Sequence, residues 1–64
     1  MVTINGEAVA AAGESVAHYL ERAGYRKEYI VVERNLDIVP RADYETVILR
    51  DGDTVEIVQF VGGG

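Results

Sequence analysis

Fifteen residues of this 64-residue chain are valine or isoleucine, and only three are leucine. Side chains branched at Cβ are stiff in a helix and fit a pleated, half-buried surface. The imbalance therefore favours a sheet over a helical bundle. The length allows one domain, and a chain this short buries only about 60% of the surface it exposes when unfolded. Its 31 apolar residues must share one compact core. That leaves no room for a second domain, a deep catalytic cleft or an enclosed cofactor, and a self-sufficient enzyme is not expected.

The order of patterns along the chain refines the fold class. Val2-Thr3-Ile4 alternates apolar and polar and then meets Asn5-Gly6, the pair that most readily supplies the two positive φ angles of a type I′ hairpin turn. A return strand is predicted over residues 7–11, although its alanines are weak strand formers. Ser15 is placed to cap a helix over residues 15–23, because its hydroxyl can accept from a first-turn N–H. Val16, Leu20 and Ala23 form one apolar stripe along that helix, and Gly24 can end it in the left-handed region. A capping box would place Glu or Gln at position 18, where this chain has His18. Tyr29-Ile30-Val31-Val32 is the next strand, Asn35-Leu36-Asp37 its turn, and Ile38-Val39 a short return stopped by Pro40. Tyr44 and Val47-Ile48-Leu49 add core, Asp51-Gly52-Asp53 is a tight turn, and residues 54–60 form the last strand. A hairpin, a crossover helix and returning strands make an α+β fold of the β-grasp, or ubiquitin-like, kind. Its mixed sheet of four to five strands packs on one short helix. Right-handed crossover chirality brings the last strand parallel beside the first. Residues 1–61 are the domain, and residues 62–64 a flexible glycine tail.

Charge and composition narrow the partners. Eleven acidic and six basic residues give a net charge of −5, which disfavours nucleic acid and anionic membranes and favours a basic protein surface. The longest apolar run, from Ala8 to Ala12, is far short of the ~18 residues of a membrane span. The start shows no signal-peptide pattern, and with no cysteine the usual reason to expect secretion is missing. A soluble, cytoplasmic domain is expected.

Catalytic constellations fail one after another. His18 is the only histidine and Ser15 the only serine; both lie in one short helix, where Ser15 serves better as a cap. One histidine and scattered acids do not make a zinc site, so no metal is expected. Asp51-Gly52-Asp53 lacks the later ligands of a calcium loop and reads as a turn. The terminal glycines are not followed by the Lys-Ser/Thr pair and helix of a phosphate-binding loop, so the domain itself binds no nucleotide. Tyr19, Tyr25, Tyr29, Tyr44 and Phe60, with few basic residues around them, are read as packing rather than as stacking platforms.

Gly62-Gly63-Gly64 follows the apolar strand end Phe60-Val61. Glycine allows close approach of another backbone, so such a tail could thread a narrow active site in a partner. A floppy tail, a truncated linker or an expression scar would look the same, and composition alone leaves these readings open.

Taken together, the chain resembles the ThiS sulfur-carrier family of thiamine biosynthesis. The residues that carry the resemblance are Asn5-Gly6, Gly13-Glu14-Ser15-Val16, Glu33-Arg34-Asn35, Ile38-Val39-Pro40-Arg41, the segment from Asp51 to Val58, and Val61-Gly62-Gly63-Gly64. The resemblance implies a carrier whose C-terminal carboxylate is the working group. It implies that a ubiquitin-activating-type enzyme of the ThiF type spends ATP to adenylate Gly64. Sulfur relayed from cysteine by a donor such as a cysteine desulfurase then displaces AMP, and Gly64 becomes a thiocarboxylate. A thiazole synthase of the ThiG type takes that sulfur, and Gly63 and Gly62 complete the tail. The domain would bind no cofactor of its own, ATP being used by its partner. Two other readings share the fold: the small subunit of a molybdopterin synthase or a similar carrier, and a ubiquitin-like interaction or modifier module.

The last strand suggests where partners dock. Thr54 and Glu56 alternate with Val55 and Ile57, so the two apolar residues should face the core. In the same register Val58 and Phe60 point outward with Thr54 and Glu56, giving a partner patch just before the tail. A β-bulge after Ile57, or a covering loop, would remove it.

Overall fold

Asn5 and Gly6 have consecutive positive φ angles of 50° and 83°, and they fold the first strand back on itself. In the computed structural model, which describes residues 1–60, this turn joins β1 (Val2–Ile4) to β2 (Glu7–Val9). The chain continues through α1 (Val16–Ala23), β3 (Ile30–Arg34), β4 (Asp37–Ile38) and β5 (Thr54–Gln59). Single 3-10 turns at Lys27–Tyr29 and Arg41–Asp43 were not predicted from the sequence. The five strands form one sheet in the order β2-β1-β5-β3-β4. β1 and β5 run parallel and the other neighbours antiparallel, so the last strand does lie beside the first.

Helix α1 begins where the sequence indicates. Ser15 is extended, with φ −70° and ψ 157°, and its Oγ accepts from the His18 N–H at 3.0 Å. Gly24 closes the helix at φ 86°, in the conformation that costs glycine least. Val16 and Leu20 are buried as expected, but Ala23 is exposed and Tyr19 takes the third inward position. A helix inclined over a sheet buries a band about its i, i+3 and i+4 neighbours, and the large ring at 19 fills that band better than a methyl at 23. Other expectations shift at their edges. The return strand stops at Val9, β4 starts at Asp37 after a two-residue turn, and Ile48 is 37% exposed between half-buried Val47 and buried Leu49. Ile48 forms an isolated bridge to Ser15, and alternation there turns Val47 and Leu49 toward the core and Ile48 away from it.

The core lies between the inner sheet face and α1. Val2, Ile4, Ile30, Val32, Val55 and Ile57 from the strands meet Val16, Tyr19 and Leu20, and Tyr44 and Leu49 close the open end. The buried aromatics are thus Tyr19 and Tyr44; Tyr25 packs against the core, whereas Phe60 is 46% exposed.

Two asparagines with positive φ attach the hairpin turns to β5. Asn5 donates its main-chain N–H to the Val55 carbonyl at 2.9 Å. Its side chain accepts from the Ile57 N–H at 2.7 Å and donates to the Ile57 carbonyl at 3.3 Å. Asn35, at φ 52°, donates its N–H to the Thr54 carbonyl at 2.7 Å, and its Oδ1 accepts from the Thr54 N–H at 2.9 Å. Its Nδ2 donates to Asp53 at 3.0 Å. Asp53 is buried, and it also accepts from Arg34 Nε at 2.8 Å and from the Arg50 N–H at 2.9 Å. Burial alone would raise its pKa; the Arg34 guanidinium and the other two donors outweigh burial and hold it below the usual carboxylate value.

Before α1, Glu14 receives Nε and Nη2 of Arg22 at 2.8 and 2.7 Å and contacts His18 Nδ1 at 2.8 Å. Arg22 also donates to the Ala10 carbonyl at 3.2 Å, so one guanidinium joins the last helical turn to the segment that precedes the helix. His18 therefore fills the place of a capping-box acid with a contact to Glu14. Paired chiefly with Arg22, the Glu14 carboxyl is lowered from 4.5 to about 2.

Two predictions follow from these contacts. Asn5→Ala removes a bidentate clamp and places a Cβ-bearing residue without a local partner at positive φ, and it should cost about 2–3 kcal/mol in chemical denaturation. Asn5→Gly, which tolerates that φ, should cost less; equal losses would show that the side-chain clamp alone matters. Glu14 has a lower pKa folded than unfolded, so its stabilisation is complete above pH 4.5 and is lost as pH falls toward 2. Melting temperatures of Glu14→Gln should accordingly converge on those of the parent toward pH 2 and fall below them at neutral pH.

Candidate functional site

Beyond Val55 β1 no longer pairs with β5, since it does so only through Thr3–Thr54 and Ile4–Val55, and beyond Glu56 the sheet narrows to β5 and β3. The β3–β5 ladder runs without interruption from Arg34 opposite Val55 to Ile30 opposite Gln59, so no bulge follows Ile57. The Phe60 N–H then donates to the Tyr29 carbonyl at 2.9 Å and carries the pairing one residue further. This register fixes the faces. Val55 and Ile57 are buried, whereas Val58 is 56% exposed and Phe60 46% exposed on the side opposite α1. Val31 lies directly across from Val58 and is itself exposed, so the patch spans two strands.

The same face changes character away from the chain end. Glu33 stands opposite Glu56 on one side and Ile38 on the other. Beyond them the β3–β4 turn projects Leu36, with Glu33, Asn35, Leu36, Thr54 and Glu56 lining a shallow depression. The outer face is thus an apolar strip of Val31, Val58 and Phe60 next to two like-charged carboxylates. At the other edge of the patch, the Arg26 guanidinium sits 5.9 Å from the centre of the Tyr29 ring. Such a surface can bind an apolar partner face bordered by basic groups, but holds no group arranged for bond making.

Gly62, Gly63 and Gly64 lie outside the described residues, as does the expectation of a flexible tail. Among the described residues no three His, Cys, Asp or Glu side chains come together to hold a metal ion. No helix among them is long and apolar enough to cross a membrane. The sequence singled out Val58 and Phe60 but not Val31, which pairs with Val58, or Glu33, which pairs with Glu56, because pairing register cannot be read from one strand. Nor did it single out Leu36 or Ile38, which looked like turn and edge residues. Two apolar residues flanking Asp37 were the available signal.

Residues 2–64 match the model of the ThiS family, a span that includes β5 and the glycines. The sulfur carrier protein ThiS of Bacillus subtilis is 48% identical over 44 residues, covering 66% of this chain and 67% of that protein. A thiazole synthase of Paramagnetospirillum magneticum is 44% identical over 64 residues, covering 98% of this chain but only 20% of that protein. The chain therefore spans about a fifth of the length of that relative. The crystal structure of the thiamine biosynthesis protein ThiS from Geobacter metallireducens superposes with a TM-score of 0.78 at 33% identity, covering 98% of this chain and 97% of that one. With an antiparallel hairpin, a covering helix and a parallel β1–β5 pair in the same arrangement, the chain belongs to the ThiS family and has its β-grasp fold.

Proposed function

We propose that this chain is a sulfur carrier of thiamine biosynthesis, in which Gly64 is the reacting residue and Val58 and Phe60 guide the tail into its partners. The observation that carries this reading is the family match, which extends through the terminal glycines to residue 64. The folded part acts as a handle, and the chemistry belongs to enzymes that receive the tail.

A carboxylate resists attack because its leaving group would be an oxide. An adenylating partner of the ThiF type removes that obstacle: a Gly64 oxygen bonds to the α-phosphorus of ATP as pyrophosphate leaves. A persulfide sulfur relayed from cysteine, through a desulfurase or a related donor, then bonds to the acyl carbon as AMP departs with the electron pair. A reducing thiol cleaves the S–S bond of the acyl disulfide so formed, itself ending as a disulfide with the donor thiol or with a second thiol. The resulting thiocarboxylate carries sulfur as a better nucleophile than the original oxygen. Thiazole synthase of the ThiG type is the proposed acceptor. Two relatives bear the name thiazole synthase and match this chain over 20% of their length, which supports a functional link between such a domain and that enzyme. Glycines suit the task since a tail with no side chains can lie in a channel too narrow for any other residue.

Incubation with an adenylating enzyme of this type, ATP and a sulfur donor should raise the intact mass by the exchange of one oxygen for sulfur. The same chain extended by one alanine after Gly64 should fold normally and take up none. Sulfur loading of the extended chain with the alanine retained would remove Gly64 from the reaction. Val58→Asp combined with Phe60→Asp should weaken partner binding about tenfold or more, as loss of a central apolar anchor does. Both side chains are exposed, so the melting temperature should change little. If the double variant unfolds, the two residues belong to the core, and if it binds normally the docking face lies elsewhere.

A further inference from the structure

Among the described residues, Leu36 is the most exposed of the large apolar side chains, and the fold gives no reason for its position. It occupies the second place of the two-residue β3–β4 turn, at φ 73°, directly after Asn35 at φ 52°. That turn position is best filled by glycine, and a bulky residue there is strained by contact between its Cβ and the backbone. The first hairpin of this same chain does use glycine at the equivalent place, Gly6 at φ 83°. Leu36 is also 91% exposed, so no burial compensates for the strain. A second unfavourable choice lies beside it. Glu33 and Glu56 are paired directly across β3 and β5, where like charges repel. Ile38, opposite Glu33, is 65% exposed. Local choices that oppose stability and cluster in space mark a surface retained for another purpose.

We propose that Leu36, flanked by Ile38, Glu33 and Glu56, is a second anchor that seats in an apolar pocket bordered by basic side chains on the adenylating enzyme. The proposal rests on the carrier reading above. It has two supports. One is charge: a projecting apolar tip backed by a carboxylate pair is complementary to a pocket with a basic rim. The other is the energetics of the reaction. Adenylation brings the anionic tail carboxylate against the phosphates of ATP, and glycines offer no side chains with which to offset that repulsion. Binding energy from remote parts of the substrate must supply it. Leu36 lies on the same outer face as Val58 and Phe60 but at its far end, so two separated contacts would fix both the position and the angle at which the tail enters. Transfer of sulfur from a thiocarboxylate to an electrophilic carbon has no such encounter with a triphosphate, and makes a weaker demand for a second contact.

The test uses the full chain with the adenylating enzyme and ATP, reading carrier-dependent exchange of pyrophosphate. Leu36→Gly and Leu36→Asn both suit a left-handed backbone. Each should raise the half-saturating carrier concentration about tenfold with little change in the maximal rate, and leave the melting temperature equal or higher. Leu36→Met should remain close to the parent. Glu33→Gln with Glu56→Gln should likewise stabilise the fold while raising half-saturation. Unchanged half-saturation in Leu36→Gly and Leu36→Asn overturns the anchor. A fall in melting temperature for both assigns Leu36 to the fold and does the same. A defect confined to sulfur transfer to thiazole synthase overturns the adenylating enzyme as occupant. If the parent chain supports no pyrophosphate exchange at all, the carrier reading fails first, and the anchor with it.

Discussion

Two asparagine side chains pin the central strand β5 to the hairpin turns on either side of it, where its pairing with β1 is short. β1 gives β5 only two residues of parallel pairing, Thr3–Thr54 and Ile4–Val55. Asn5 prolongs the contact by replacing a missing strand: its amide group both donates to and accepts from the main chain of Ile57. From the other side, Asn35 accepts from the Thr54 main-chain N–H and donates to the Asp53 carboxylate. Asparagine combines a short side chain that tolerates positive φ with an amide that can mimic a peptide group. Each residue therefore makes the turn and secures the turn to its neighbour. The parallel β1–β5 contact joins residues some fifty positions apart in sequence, and local side-chain clamps make that distant pairing specific.

Much of this arrangement was legible in the sequence because it rests on local chemistry. Asn5-Gly6 can hardly be other than a hairpin turn, and Ser15 with Gly24 brackets a helix by supplying what its two ends lack. The alternation from Thr54 to Ile57 gave the inward and outward faces of β5. What was not legible depends on partners distant in sequence. Asp53 looked like an exposed turn residue, yet it is buried because Arg34, Asn35 and the Arg50 N–H surround it. Tyr19 rather than Ala23 fills the core because the helix buries its i, i+3 and i+4 positions and Ala23 is its last residue. Ile48 and Leu36 were apolar residues without a place in the core, which composition alone cannot reveal. At the outer face, Val58 and Phe60 followed from alternation, while Val31 and Glu33 required the β3–β5 register.

The division between the two faces of the sheet follows from size. One eight-residue helix can cover only one side, and the strand residues that point toward it are those with less than a tenth of their surface exposed. Among the described residues, no second layer covers the opposite side. A domain of this size could make that side wholly polar, as solubility favours. Instead Val31, Val58, Phe60, Ile38 and Leu36 share it with Glu33 and Glu56. Since the core is complete without them, substitutions there can alter recognition without threatening the fold, and the fold in turn holds them rigidly on paired strands.

In the proposed carrier role, this separation accounts for how such a domain would take part in chemistry performed by its partners. Binding that merely holds a substrate does not lower a barrier; it must be coupled to a geometry realised at the reacting atoms. A glycine tail is poor at recognition but can reach where side chains cannot. A rigid sheet recognises well but cannot enter a narrow site. The ladder from Ile30 to Gln59, extended by the Phe60–Tyr29 hydrogen bond, connects the two properties. Because β5 is clamped at Thr54 by Asn35 and at Ile57 by Asn5, force exerted on the outer face is transmitted along a strand that cannot slide in register. In the proposed carrier role, docking energy gathered on Val58 and Phe60 would thereby be turned into control over where the following residues begin.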